Sequence, residues 1–482
     1  MDLNTPADPR ALPVSHAAPA KNSKRVIAAW SAWDWGSASF NAVITTFVFT
    51  TWLASSAFVD IELVAAAEAA GGEDGPAQAA VEAAIALHNQ WLGWGLAIAG
   101  LFIALIAPVS GARSDRAGRR RRWLAIHTAI VVLISLAMVL VEPDPNALTQ
   151  NLIFGILLLS VGNIFFELAM VNYNAMLAQV ARPGTRGRVS GIGWGAGYIG
   201  GIVLLLILFV GFINPEVGWF GVTGENGMDI RVSVGFSALW FALFALPVLF
   251  MVPDPKFEVT ADRPTISESY RALGRRLARL WRSDRQLLRY LIASAVYRDG
   301  LAGVFTFGAV IAAGTFGFSA SEVIVFAIAA NLVAGLSTIA SGFLDDLLGP
   351  RRIIIASLIG LVVAGLAVFF GRDGGPTIFW IFGLALCLFV GPVQSASRTL
   401  LSAEIPPGQE SEVFGLYATT GRAASFLTAA AWAIAIGIGG AQFWGILGIV
   451  TVLGVGLALF LPIQLGKRPS AAEAAAASSS GK

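Results

Sequence analysis

Long apolar runs separated by short polar stretches dominate the chain. Val131–Val141 and Ile353–Phe370 each contain a single polar residue, a serine. About 20 such residues span the ~30 Å hydrocarbon core of a bilayer. Lipid offers the backbone no hydrogen bonds, so a spanning segment is a helix or part of a closed barrel. The runs lack the period-two alternation of barrel strands and read as helices. Twelve are predicted: Val26–Phe58, Gln90–Pro108, Trp123–Val141, Asn151–Gln179, Ser190–Phe212, Val234–Val252, Leu287–Ala313, Ser321–Leu344, Ile353–Gly371, Thr377–Leu401, Glu412–Gly437 and Ala441–Gln464. The fold class is an all-α polytopic membrane protein with 12 transmembrane helices, arranged as two six-helix pseudo-symmetric bundles, 26–252 and 286–465. A polar arm, 1–25, and an Ala- and Ser-rich tail, 466–482, read as disordered. In the linker 253–285, Ile266, Tyr270, Leu273, Leu277 and Leu280 recur at helical spacing against Arg271, Arg275, Arg276, Arg279 and Arg282. That pattern suits an amphipathic helix on the membrane surface, with a solvated basic linker as the alternative.

Composition agrees: of 482 residues, 56% are hydrophobic and 13% charged, too little polar surface for a soluble chain of this length. Charge sets the orientation. Alternate connections carry Lys24 and Arg25, Arg113 to Arg122, Arg182 to Arg188, Arg351 and Arg352, and Lys467 and Arg468. The opposite set carries Asp60, Glu62, Glu68, Glu73, Asp74, Glu142 and Asp144. The positive-inside rule therefore places both termini in the cytoplasm of a multi-pass protein, with a bacterial plasma membrane as the expected site. A single cysteine, Cys387, allows no internal disulfide, and His16, His88 and His127 make no metal motif. No HExxH, GxSxG or Walker A pattern is present, so neither enzyme chemistry, a cofactor nor ATP hydrolysis is expected, and nothing points to nucleic acid.

Two internal matches support the duplication. Gly111, Asp115 and Gly118, with Arg116, Arg119 and Arg120, align with Gly342, Asp346 and Gly349, followed by Arg351, at an offset of 231. Pro183 to Gly197 aligns with Pro407 to Gly421 at an offset of 224 without a gap. Repeats of a six-helix unit give this pattern. The first glycine lets a span approach a neighbour closely. The aspartate suits a helix N-terminus: Asp115 at the start of the eleventh span, Asp346 at the start of the fifth. Those contacts would hold a gate shut between the halves. Gly195, Gly197 and Gly200 mimic a dinucleotide fingerprint, but inside a membrane helix with no preceding strand. Gly193, Gly197 and Gly201 instead form a smooth packing face.

Gly111–Arg120 resembles the signature loop of the major facilitator superfamily. Further stretches are similar to one branch of it: Asp34 to Ser37 with Phe40; Tyr173 to Leu177; Arg188 to Trp194 with Gly197 and Tyr198; Tyr297 to Gly300; and Gln394, Ser397, Arg398, Phe414, Gly415, Tyr417, Gly421 and Arg422. That branch includes the fungal vacuolar amino-acid effluxer of autophagy. The resemblance implies a secondary active transporter of a small polar solute such as an amino acid, working by alternating access, proton-coupled and functional as a monomer among membrane lipids. A lipid flippase or scramblase, a drug or sugar transporter, and a non-transporting sensor are the alternatives.

Charges within spans are costly and usually face a cavity or a partner. The candidates for solute or proton are Asp34, Glu167, Arg298, Asp299, Arg398 and Arg422, with Asn174 and Gln394 as neutral partners. Arg422 or Arg298 would take an anion, and Asp34 or Glu167 an amine or the coupling proton. The competing reading is a set of structural ion pairs, for example Asp34 with Arg298 or Arg422.

Overall fold

A computed structural model describes residues 23–69, 75–254 and 266–465. Most of the arm, the tail, the first part of the linker and residues 70–74 lie outside them. The first span is composite: α1 (Lys24–Ala38), a π-helical stretch Ser39–Phe47, and α2 (Phe49–Leu53). The widened turns have a local cause, because Thr45 and Thr46 donate side-chain hydrogen bonds to the carbonyls five residues back, on Phe40 and Asn41. A short helix, α3 (Ile61–Ala69), precedes the second span, α4 (Pro76–Ala117). The third to sixth spans are α5 (Arg120–Met138), α6 (Leu148–Ala175) with a short α7 (Leu177–Val180), α8 (Arg186–Leu208) and α9 (Met228–Met251). The linker contains α10 (Ile266–Ser283). Spans seven to ten are α11 (Arg285–Phe316), α12 (Ala320–Leu348), α13 (Pro350–Phe370) and α14 (Pro376–Glu404). The eleventh is split into α15 (Glu410–Ala424) and α16 (Leu427–Gly439), and α17 (Gly445–Phe460) closes the chain.

Eleven of these segments are individually long and apolar enough to cross a membrane, and the interrupted first span makes the twelfth. Three depart from the boundaries drawn on sequence. At 42 residues α4 is about 63 Å long, twice the hydrocarbon thickness, because the Ala-rich stretch before Gln90 continues the helix. That extension packs against α3 around Val59, Ala67 and Val81. The first and eleventh spans are broken where continuous helices were expected.

One apolar core draws on residues 30 to 252, centred on Trp30, Trp33 and Tyr173, whose rings stack at 4.5 and 4.3 Å. The other draws on residues 280 to 465, joined by Ile103, Ala107, Leu168, Val171 and Ala175 from α4 and α6. Leu133, Leu140, Leu243, Phe250 and Val363 point outward and exposed, as a lipid-facing belt requires. Prolines open α4, α13 and α14, and Gly118 (φ +58°) ends α4 in the left-handed conformation that lets the chain turn into α5. In the linker, Tyr270 donates to the Leu105 carbonyl of α4 while Leu280 enters the second core, so α10 touches both bundles.

Candidate functional site

The bundles meet along a seam, and its arginine-bearing end is closed by two junctions, α4 with α15 and α8 with α12, the most extensive packings in the molecule. Both depend on absent side chains. A β-carbon at Gly111 would overlap the Ser411 backbone, and one at Gly415 would lie 2.6 Å from the Ala107 carbonyl oxygen. In the second junction a β-carbon at Gly191 would lie 2.7 Å from the Thr338 carbonyl oxygen, and one at Gly342 2.7 Å from that of Gly187. Carboxylates then cap the facing helices. Asp115 accepts from the Ser411 (3.1 Å) and Glu412 (2.8 Å) amides at the start of α15. Asp346 accepts from the Gly187 amide (2.8 Å) and the Arg188 side chain (2.7 Å) at the start of α8. A carboxylate is favoured beside the partial positive charge of a helix N-terminus. Pro108 lacks an N–H and frees the Ala104 carbonyl, which Thr419 Oγ1 of α15 reaches at 2.9 Å.

About 9 Å along α14 from its end, Arg398 plugs the seam. Its guanidinium enters the first bundle and bonds Asp34 Oδ2 (3.3 Å), Asn174 Oδ1 (3.2 Å), Ser190 Oγ (2.9 Å) and the Ser190 carbonyl (2.7 Å). Trp30 and Trp194 flank it at 4.8 and 4.9 Å, within range of a cation–π contact. Tyr173 holds the second charge, donating to Asp34 Oδ2 at 2.9 Å. Gly193 makes room, since a β-carbon there would lie 2.6 Å from the Trp30 ring. Arg398 is 1% exposed and fully engaged, so this cluster is a sealed floor.

Deeper, about 18 Å along α15 from its start, Arg422 meets Glu167 of α6 at 2.5 Å across the seam. Here the side chains are 32% and 26% exposed, in contrast to the buried Arg398 cluster. Arg298 of α11 lies beside it, stacked 3.8 Å over the Tyr417 ring, donating to the Tyr417 carbonyl and abutting Gly421. Tyr198 and Gln394, bonded at 3.3 Å, line the same seam between α8 and α14. Beyond Arg422, α16 packs on α11 and α17 of its own bundle, and its face bearing Ile434 and Ile438 is exposed. The described helix contacts therefore close the seam at the arginine-bearing end.

This architecture can be compared with known proteins. A model of the family described as "Vacuole effluxer Atg22 like" matches residues 22–473. The chain belongs to that family. An MFS-type transporter of Bacillus subtilis (strain 168), YxiO, is 23% identical over 90% of this chain and 94% of its own length. Autophagy-related protein 22 of Cryptococcus neoformans (strain JEC21) is 24% identical over 59% of this chain, which spans about half (52%) of that relative. Among solved structures, the proton:xylose symporter XylE has a TM-score of 0.67 at 13% identity, covering 95% of this chain and 100% of that one. The human organic anion transporter MFSD10 has 0.64 at 17%, covering 92% and 99%. These likenesses show the fold: the twelve-helix major facilitator fold, in a transporter of the Atg22-like family.

Within this family fold the candidates separate into groups. Glu167, Arg422 and Arg298 share the less buried part of the seam, with Gln394 nearby. Asp34 pairs with Arg398 and Asn174 completes that cluster, so the pairings of Asp34 with Arg298 or Arg422 do not occur. Asp299 turns the other way and binds the Thr428 amide and hydroxyl, both at 2.6 Å, capping α16 from a neighbouring helix. It is the trans cap that lets the eleventh span break. Of the loop arginines, Arg120 bonds Asp115 at 2.7 Å and also pairs with Glu410, whereas Arg116 and Arg119 are exposed. Arg351 leaves the seam and donates to the Leu461 and Ile463 carbonyls, tying down the end of α17. Gly193, Gly197 and Gly201 face α1, and Gly187, Gly191 and Gly195 form a second face toward α12. That second stripe, like Ser190 and Glu410, lay outside the sequence candidates, though its four-residue spacing is visible in the chain.

Proposed function

We propose that the protein is a secondary active transporter that moves a small zwitterionic solute of the amino-acid class by alternating access across the plasma membrane, with its arginine-bearing end and both termini in the cytoplasm. The Glu167–Arg422 pair carries this reading: it joins the two bundles at mid-seam and is less buried than the Asp34–Arg398 pair. A zwitterion suits it because its two charges replace the two protein charges. Its carboxylate takes the Arg422 fork, with the Arg298 cation alongside, and its amine takes Glu167. Neither protein charge is left unpaired in low dielectric. Neutralising Glu167 would likewise release Arg422, which makes Glu167 the coupling group in this reading. Each charge moved down a potential of 100 mV supplies ~2.3 kcal/mol. The family description as an effluxer favours export.

Reconstituted into proteoliposomes, the protein should move radiolabelled amino acids in a pH-gradient-dependent manner. Arg422→Gln should reduce the rate by more than about tenfold, the loss of one charged hydrogen bond of ~1.5–3 kcal/mol. Glu167→Gln should abolish the gradient dependence. Unchanged coupled transport in Glu167→Gln would remove the proposed role of that pair.

A further inference from the structure

Among their differences, the two repeats carry different residues just before the shared aspartate. Ser114 precedes Asp115, whereas Asp345 precedes Asp346. Ser114 is buried and satisfied, donating to Asn172 Oδ1 at 2.5 Å. Asp345 is as deep, 3% exposed, yet neither of its carboxyl oxygens has a hydrogen-bond partner. It sits inside the α8–α12 junction, where a β-carbon at Gly187 would lie 2.7 Å from its Cβ and 2.8 Å from its Cγ.

The charged and polar groups around Asp345 are committed elsewhere. Asp346 on its own helix is held by Arg188 of α8. Arg186 of α8 donates to the Ser402 carbonyl. On α14, the Thr399 hydroxyl lies beside Asp345 and favours its charged form, but it is shared with the Ser395 carbonyl at 3.2 Å, and Arg398 is engaged by Asp34, Asn174 and Ser190. Asp346 adds negative charge beside Asp345, and Arg351 of α13 is bound to the end of α17. A buried carboxylate with no cation beside it and at most one shared hydroxyl is strongly disfavoured when ionised, whereas its neutral form is tolerated.

We propose that Asp345 is a proton-binding site of the gate. Closing the α8–α12 junction takes one proton from water onto its carboxyl, and opening releases that proton at the arginine-bearing end. The inference rests on the alternating-access reading but not on the identity of the solute or on Glu167. The sign follows from linkage: the closed state binds the extra proton, so closure is favoured as pH falls and lost as pH rises. One linked proton changes the closed-to-open ratio by up to about tenfold per pH unit.

The test reads the gate rather than transport. With Cys387→Ser as background, spin labels at Gly184→Cys and Leu347→Cys report the α8–α12 separation in lipid nanodiscs by pulsed electron resonance. The closed fraction should fall as pH is raised from about 4.5 to 8.5. Asp345→Asn and Asp345→Ser, the latter copying Ser114, should remain closed with less than about a twofold change over the range. A wild-type pH response retained by both variants, a pH-independent wild type, or variants that stand open would each overturn the proposal. If the pH response is present and Asp345-dependent while no amino acid is moved, only the solute reading fails.

Discussion

The α4–α15 and α8–α12 junctions are copies of one arrangement, and they differ in what they bury. In both, glycines bring two helices from opposite bundles into backbone contact, and an aspartate caps the helix that faces it. The first buries an ion-pair network: Arg120, 1% exposed in its side chain, between Asp115 and Glu410. The second pairs a half-exposed Arg188 (45%) with the buried Asp346 (8%), and buries Asp345 with no cation partner. Duplication thus preserved the close approach while charge was redistributed. One junction holds by a fixed buried network, and the other carries the group whose charge state depends on whether it is shut.

Substitutions can sharpen or break this contrast. The largest effect belongs to Arg120→Gln. It leaves Asp115 and Glu410 facing each other without their shared cation, and losing one partner of a buried pair costs ~3–5 kcal/mol. Cross-linking across the α4–α15 junction should show the closed population collapse; a wild-type yield would contradict the buried-network account. Gly191→Val should come next, because any side chain there meets the backbone of α12. An overpacking cost of ~1–3 kcal/mol should open the α8–α12 junction, visible as increased labelling of a nearby cysteine. Thr419→Val removes the bond to the carbonyl freed by Pro108 and should cost ~1 kcal/mol of closed-state stability, read as a lower melting temperature. Arg188→Gln should have the smallest effect, ~1 kcal/mol or less, because Arg188 is half-exposed and Asp346 keeps the Gly187 amide. A large loss there would make the two junctions energetically alike.

Much of the architecture was legible in the chain because its signals are local. Apolar runs mark spans, glycine marks close approach, and the two offsets mark duplicated loops. The offset of 224 relates Gly187 to Ser411, the two residues whose amides face Asp346 and Asp115. What was hidden depends on helix rotation and on partners hundreds of residues away. Neighbouring residues on a helix point about 100° apart, so Arg298 and Asp299 look equivalent in sequence but serve different elements. The pairing of Asp34 with Arg398 spans 364 positions and needs α1, α6, α8 and α14 in place together. The break in the eleventh span is made by Asp299 from another helix, which no cap signal at Phe426 announces. Asp345 was visible only as an acidic doublet beside the motif aspartate, and its isolation appears once the junction is formed.

The central claim is that the seam opens at one end as it closes at the other, about the chamber of Glu167 and Arg422. Two label pairs measured in the same Cys387→Ser protein test it most directly: Gly184→Cys with Leu347→Cys at the arginine-bearing end, and Gly93→Cys with Ile438→Cys across the opposite end. The account predicts reciprocal populations, so that Arg120→Gln lengthens the first distance and shortens the second. Distances that move together, or a second distance indifferent to the first, would contradict it.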